Sequence, residues 1–181
     1  MREIALHILD LAENGVAAGA TSITISIFED RKDNWLDISI EDNGKGMSSD
    51  MVAKIIDPFV TSRTNRKVGL GIPLFKAAAE ACNGSFSIIS EPGIGTKVLV
   101  RFQLDHIDRM PLGNLENTIL SLFIGYQMVH WVFIYQINDS IFKFDDEPIK
   151  QELAGVSLTD PSVLKFIREY LEQGIQDIQA G

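Results

Sequence analysis

Two runs of strict alternation constrain this chain more than any other feature. Ile23, Ile25 and Ile27 alternate with Thr24 and Ser26, and Leu36, Ile38 and Ile40 alternate with Asp37 and Ser39. Successive side chains on a strand point to opposite faces, so each run gathers its aliphatic residues on one side and its polar ones on the other. With the polar stretch Glu29–Asn34 between them, the pair predicts a hairpin with one apolar face. That face needs helices to cover it. Residues 2–18 carry Ile4, Leu6, Ile8, Leu9 and Leu11 at helical spacing, with Gly19 placed to end the helix. A second, alanine-rich helix is predicted over Ile72–Cys82, and a short one over 49–56 capped by Ser48. Two more strands, Ser85–Ser90 and Thr96–Leu104, flank the turn composition Glu91–Gly95. The expected fold class is α+β: a two-layer sandwich of a mixed, mostly antiparallel sheet with helices on one face.

After Leu104 the texture changes. His106–Gly113 reads as a connector, Leu115–Tyr126 as a helix, and Val129–Ile137 with Ser140–Phe144 as a hairpin across Asn138-Asp139. Asp160–Gln179 reads as an amphipathic helix capped by Asp160, with Pro161 in first position. Residues 1–104 carry a net charge of −2 and residues 105–181 one of −7. The expected organisation is therefore one domain over 1–104 and a small acidic αββα extension over 105–181. In that extension Trp131, Phe133 and Tyr135 share one side of a strand and Val132 and Ile134 the other. A strand apolar on both sides is expected to pack against the first sheet or a second subunit.

The total charge of −9 argues against nucleic acid or an anionic membrane as the main partner. The apolar runs Ile119–Ile124 and Val129–Ile137 fall well short of the ~20 residues that span a bilayer. A lone cysteine, Cys82, makes no internal disulfide, and Met1-Arg2-Glu3 does not open a secretion signal, so a cytoplasmic location is expected.

Several short elements carry chemistry. On the first helix Asp10 and Asn14 stand four apart, with His7 three before Asp10, so all three share a face. Asp42-Asn43-Gly44-Lys45-Gly46 follows a strand, where alternate glycines let another group approach the backbone. Gly69-Leu70-Gly71 opens a helix, whose free amides suit a phosphate. Taken singly, each is also an ordinary polar face or glycine turn. No paired histidines, CxxC or Ser-His-Asp pattern supports a zinc site or a hydrolase triad.

Their order is more specific. A polar-faced helix, two strands, Asp-x-Gly-x-Gly, Asp57-Pro58-Phe59, a basic loop, Gly-Leu-Gly at a helix start and Gly95-Thr96 opening a strand resembles one known family. It is the ATP-binding domain shared by histidine kinases, DNA gyrase B subunits, Hsp90 chaperones and MutL, over roughly residues 3–104. Leu11–Thr21 looks most like MutL, whereas Asp57-Pro58-Phe59 and Gly69-Leu70-Gly71-Ile72 look more like histidine kinases and anti-sigma-factor serine kinases.

The resemblance implies ATP and Mg²⁺ as ligands and assigns roles. Asn14 would ligate Mg²⁺ through its amide oxygen, and Asp42 would accept a hydrogen bond from the adenine amino group. Gly44 and Gly46 would leave room for the base, with Thr96 supporting it. Gly69, Leu70 and Gly71 would cradle phosphates, and Arg63, Arg66 and Lys67 in the preceding loop would clamp their charge. Two departures bear on the reaction. ATP-hydrolysing members place a glutamate where this chain has Asp10, one methylene shorter, which predicts weak hydrolysis with Asp10 or the neighbouring Glu13 acting on water. Histidine kinases carry a basic residue where this chain has Ala17. No dimerising hairpin with a phosphoacceptor histidine precedes the first helix, so a complete sensor kinase is not expected, and His7 is expected to be a packing or hydrogen-bonded histidine.

The implied function is an ATP-dependent protein kinase that phosphorylates a partner protein. The alternative is an ATP-driven conformational switch with weak ATPase activity. A MutL-like repair role is set aside on charge. An unidentified protein substrate or regulatory partner is implied, and a homodimer stays open.

Overall fold

In a computed structural model of the chain, residues 3–57 and 71–181 are described. The two alternating runs form β1 (Ser22–Asp30) and β2 (Trp35–Asp42), paired antiparallel with Ile25 opposite Ile40 and Ile27 opposite Ile38. All six aliphatic side chains of the two runs are buried on the same face. Full burial of such a side chain contributes about 1.5–3 kcal/mol. A one-residue slip that turned either row outward would therefore cost a large share of a domain's net stability of about 5–15 kcal/mol.

The sheet grows outward from this hairpin. β4 (Gly95–Gln103) pairs with β2, and β3 (Ser85–Glu91) pairs with β4, both antiparallel. On the other side, β5 (His130–Ile137) lies parallel to β1, and β6 (Ser140–Asp145) closes the order β3-β4-β2-β1-β5-β6. α1 (Ile4–Ala17) covers β1 and β2, while α3 (Gly71–Ala81) covers β3 and β4. α4 (Leu115–Gly125) packs between α1 and α6 (Pro161–Ala180), and α6 covers β5 and β6. The result is the expected α+β sandwich, with helices on one face. The other face carries Ser22, Thr24, Ser26, Asp37 and Ser39, and Arg101, which forks onto Asp37 at 2.6 and 2.7 Å. No described helix is long and apolar enough to cross a membrane.

Residues 105–181 thus add strands to the first sheet instead of forming a separate layer on it. Trp131, Phe133 and Tyr135 join the buried face, and Val132 and Ile134 lie half-buried on the open one. The seam is hydrogen-bonded at several points: His130 N–H donates to Thr21 O at 2.8 Å, Asn138 N–H to Glu29 O at 3.0 Å, and buried Tyr135 Oη to Glu29 Oε1 at 2.5 Å. The connector also ties in. Carbonyls of Pro111 and Leu112 accept from Ile4 N–H and Ala5 N–H at 3.0 and 2.8 Å, satisfying amides that the first turn of α1 leaves without partners.

The remaining helices are short. α2 (Ser49–Ile56) starts where Ser48 Oγ accepts from Met51 N–H. One element was not expected: α5 (Asp146–Glu152) follows β6 directly, capped by Asp145. Pro148 lies in its first turn, where a missing N–H costs no intrahelical bond.

Candidate functional site

Where α1 passes the ends of β2 and β4, a pocket of about 340 Å³ opens between the sheet and α2. Asn14 and Gly15 of α1, Asp42 of β2, Gly46 and Thr96 line it, with Met51, Ile55, Ile72, Ile88 and Val98 supplying apolar surface. Four residues chosen from sequence, Asn14, Asp42, Gly46 and Thr96, therefore meet at one cavity. Their convergence follows from the pairing of β2 with β4, which sets Asp42 directly opposite Thr96.

Asp42 is half-buried. Desolvation raises its carboxyl above the ordinary range, and hydrogen bonds from the Gly44 and Thr96 backbones partly offset the rise. The Gly44 amide donates to Oδ1 at 2.8 Å. Gly46 has φ +64°, and a Cβ there would run into the Glu91 carbonyl, so the turn is built for glycine on both counts.

Two supporting residues escaped the sequence reading. Asn43 Oδ1 accepts from Thr21 N–H and Ser22 N–H at 2.8 and 2.9 Å, pinning the loop after Asp42 to the start of β1. Ser90 Oγ lies 2.8 Å from Thr96 Oγ1, donates to Gly95 O at 3.0 Å and accepts from Met47 N–H at 2.9 Å. It fixes the Thr96 hydroxyl and the segment after Gly46 together. The Asn43–Thr21 and Ser90–Met47 contacts join segments far apart in sequence, so no local pattern signals them.

Asp10 and Gly71 lie outside the pocket lining and meet each other. A Cβ on Gly71 would overlap the Asp10 carboxylate, so the first turn of α3 is pressed against this side chain. Burial, and secondarily the charge of Glu13, raise the Asp10 carboxyl. Glu13 itself accepts from Tyr126 Oη at 3.0 Å, a link from the nucleotide-side helix to the end of α4. His7 is buried and stacked on Phe75, with ring centroids 4.4 Å apart and 5° between planes. Burial lowers its pKa to about 4, so it is a neutral packing residue at physiological pH. Arg63, Arg66, Lys67, Gly69 and Leu70 lie outside the described residues.

The chemistry of the pocket suits a purine with a Mg²⁺-bound phosphate tail. A half-buried carboxylate held by backbone amides offers one directional acceptor. The apolar side chains offer a slot for a ring, and Asn14 offers a neutral oxygen at the exposed rim, of the hard kind that Mg²⁺ takes.

Comparison with known proteins identifies the family and the fold. The family described as histidine kinase-, DNA gyrase B-, and HSP90-like ATPase matches residues 2–106. Among curated proteins the chain is 30% identical over 102 residues to the sensor histidine kinase DcuS of Escherichia coli, covering 53% of this chain and 18% of DcuS. It is 32% identical over 115 residues to the cell-division control histidine kinase PdhS of Brucella canis, covering 56% of this chain and 11% of PdhS. The chain thus spans less than a fifth of the length of either relative. Among solved structures, the N-terminal domain of a DNA repair protein shares the fold at TM-score 0.55 and 14% identity, over 80% of this chain and 52% of that one. With a match that spans more than half of its length, the chain belongs to the histidine kinase-, DNA gyrase B- and HSP90-like ATPases.

Proposed function

We propose that the chain binds Mg²⁺-ATP in the pocket between α1, α2 and the sheet and passes the γ-phosphoryl group to a partner protein. The observation that carries the reading is the half-buried Asp42 carboxylate facing an apolar slot whose rim holds Asn14. In this reading Asp42 accepts from the adenine amino group, and Thr96, held by Ser90, supports the same edge of the base. Asn14 holds the metal ion, which when bound would neutralise charge on the phosphate oxygens. Gly69, Leu70 and Gly71 supply amides to the phosphates, and Arg63, Arg66 and Lys67 supply positive charge. Asp10 takes the proton from the attacking hydroxyl or imidazole. Its raised pKa suits a proton acceptor, and its short side chain, seated against Gly71, limits its reach to water. Similarity to the sensor histidine kinase DcuS and the cell-division control histidine kinase PdhS supports reading the reaction as phosphotransfer rather than hydrolysis.

The Tyr126–Glu13 hydrogen bond favours a second reading, in which nucleotide acts as a switch relayed to residues 105–181. Titration calorimetry with a non-hydrolysable ATP analogue, with and without Mg²⁺, tests the shared premise. Wild type should bind with Mg²⁺ dependence. Asp42→Asn should lose about ten- to a hundredfold in affinity through one charge-assisted hydrogen bond, and Asn14→Ala should lose the Mg²⁺ dependence. Full affinity in Asp42→Asn would contradict the site. Transfer of γ-label to a protein partner then separates kinase from switch.

A further inference from the structure

A second cavity, of about 490 Å³, lies between α5, α6 and the outer strand β6, and shares no lining residue with the nucleotide pocket. Ile149 of α5, Leu153 just beyond its end and Val163 of α6 line it with apolar side chains. Phe166 and Tyr170 stand at its wall with their rings nearly parallel, 19° apart at 6.4 Å, and remain 58% and 43% exposed. The aromatic row continues inward to fully buried Phe144, 6.3 Å from Tyr170, so the wall is anchored to the core. Exposed, pre-ordered aromatic rings beside a cavity are what anchoring residues of a partner bury against.

The charges around this groove are one-sided. Each flanking lysine already has a carboxylate: Lys143 lies 3.5 Å from Asp145, Lys150 2.6 Å from Asp146, and Lys165 3.8 Å from Glu169. Glu147 and Glu152 of α5 are exposed and pair with no cation among the described residues. The rim is therefore acidic on an acidic segment. Anionic lipid headgroups would be repelled, and so would a second copy of a chain carrying −9.

We propose that the α5–α6 groove docks a segment of a partner protein in which an aliphatic or aromatic anchor side chain is flanked by Lys or Arg. The anchor fills the cavity beside Phe166 and Tyr170, and the cations meet Glu147 and Glu152. The groove has its own residues, so this inference does not depend on what the nucleotide pocket does.

The test selects a phage-displayed peptide library against the full-length protein without nucleotide, after depletion on a Phe166→Asp variant. Enriched sequences should carry an apolar anchor with Lys or Arg within a few positions. A fluorescein-labelled peptide of the enriched sequence should lose at least about tenfold in affinity on Phe166→Asp and about three- to tenfold on Glu152→Lys, with weaker binding at higher salt. Both side chains are exposed, so both variants should keep the wild-type circular dichroism; if Phe166→Asp does not, Glu152→Lys decides. Selection of acidic or uncharged sequences, no selection, or undiminished wild-type affinity in both variants would overturn the proposal. So would a wild-type dimer in sedimentation that Phe166→Asp dissociates, or binding to phosphatidylserine vesicles that Phe166→Asp abolishes.

Discussion

At the scale of single residues, burial decides what each polar group in this chain can do. His7 and Asp10 are one helical turn apart on α1, yet burial suppresses the charged form of both, leaving a neutral imidazole and a carboxyl raised in pKa. For His7 the consequence can be given a sign. Its folded pKa of about 4 lies below the ordinary 6.5, so between these values the unfolded chain binds a proton that the folded chain refuses. Stability is complete above pH 6.5 and falls as the pH drops toward 4, with about 2 kcal/mol lost between pH 7 and pH 5. His7→Phe keeps the ring stacked on Phe75 and should remove that difference in urea unfolding at the two pH values. An unchanged difference would mean that His7 is not the group responsible. The expectation of a packing histidine rested on its place inside the helix, and the stacked, dry ring supplies the reason. The polar supports Asn43 and Ser90 were invisible by contrast, because an asparagine in a glycine turn and a serine in a strand are ordinary residues until their cross-strand partners are known.

At the scale of elements, strands were the most legible. Period-two patterns placed β1, β2 and β5 closely, and Asp160-Pro161 marked the start of α6, where Asp160 does accept from Ser162 N–H. α5 was not legible, because a run of 7 residues is too short to show a helical period. What makes it a helix is tertiary. Asp146, fully buried, accepts from Trp131 N–H at 2.9 Å and holds Lys150 one turn on, so the side chain clamps the helix onto the start of β5. Asp146→Ala leaves the Trp131 amide without its acceptor and strips Lys150 of its counter-charge. The expected loss is about 2–4 kcal/mol in denaturant unfolding, with a smaller loss for Asp146→Asn, which still accepts from Trp131. Equal stability in Asp146→Ala would show the clamp to be incidental.

At the scale of the whole molecule, composition and charge divided the chain at Leu104, but the sheet ignores that division. No local pattern reports that β5 lies beside β1, since the pairing joins segments a hundred residues apart and either run would satisfy its own alternation in another place. The family match ends at residue 106, whereas β1, one of the two central strands, takes one of its two neighbours from beyond it. A fragment of residues 1–104 would bare one edge of β1, the surface of α1 that α4 covers, and the first-turn amides of Ile4 and Ala5. Such a fragment should aggregate or remain unfolded by gel filtration and circular dichroism. A folded, monomeric fragment would make the extension an independent addition.

The parallel seam between β1 and β5 also sets a timetable. Its buried Tyr135–Glu29 bond closes a loop of 106 positions, and a chain emerging from the ribosome in order exposes β1 long before His130–Ile137 exists. Contacts of such separation slow folding, because the loop must close before any of them forms. The half of the chain that carries the pocket beside Asp42 therefore waits, with an open strand edge, for the half that carries none of its described lining. Through that interval the nascent chain depends on chaperones or on speed to escape aggregation.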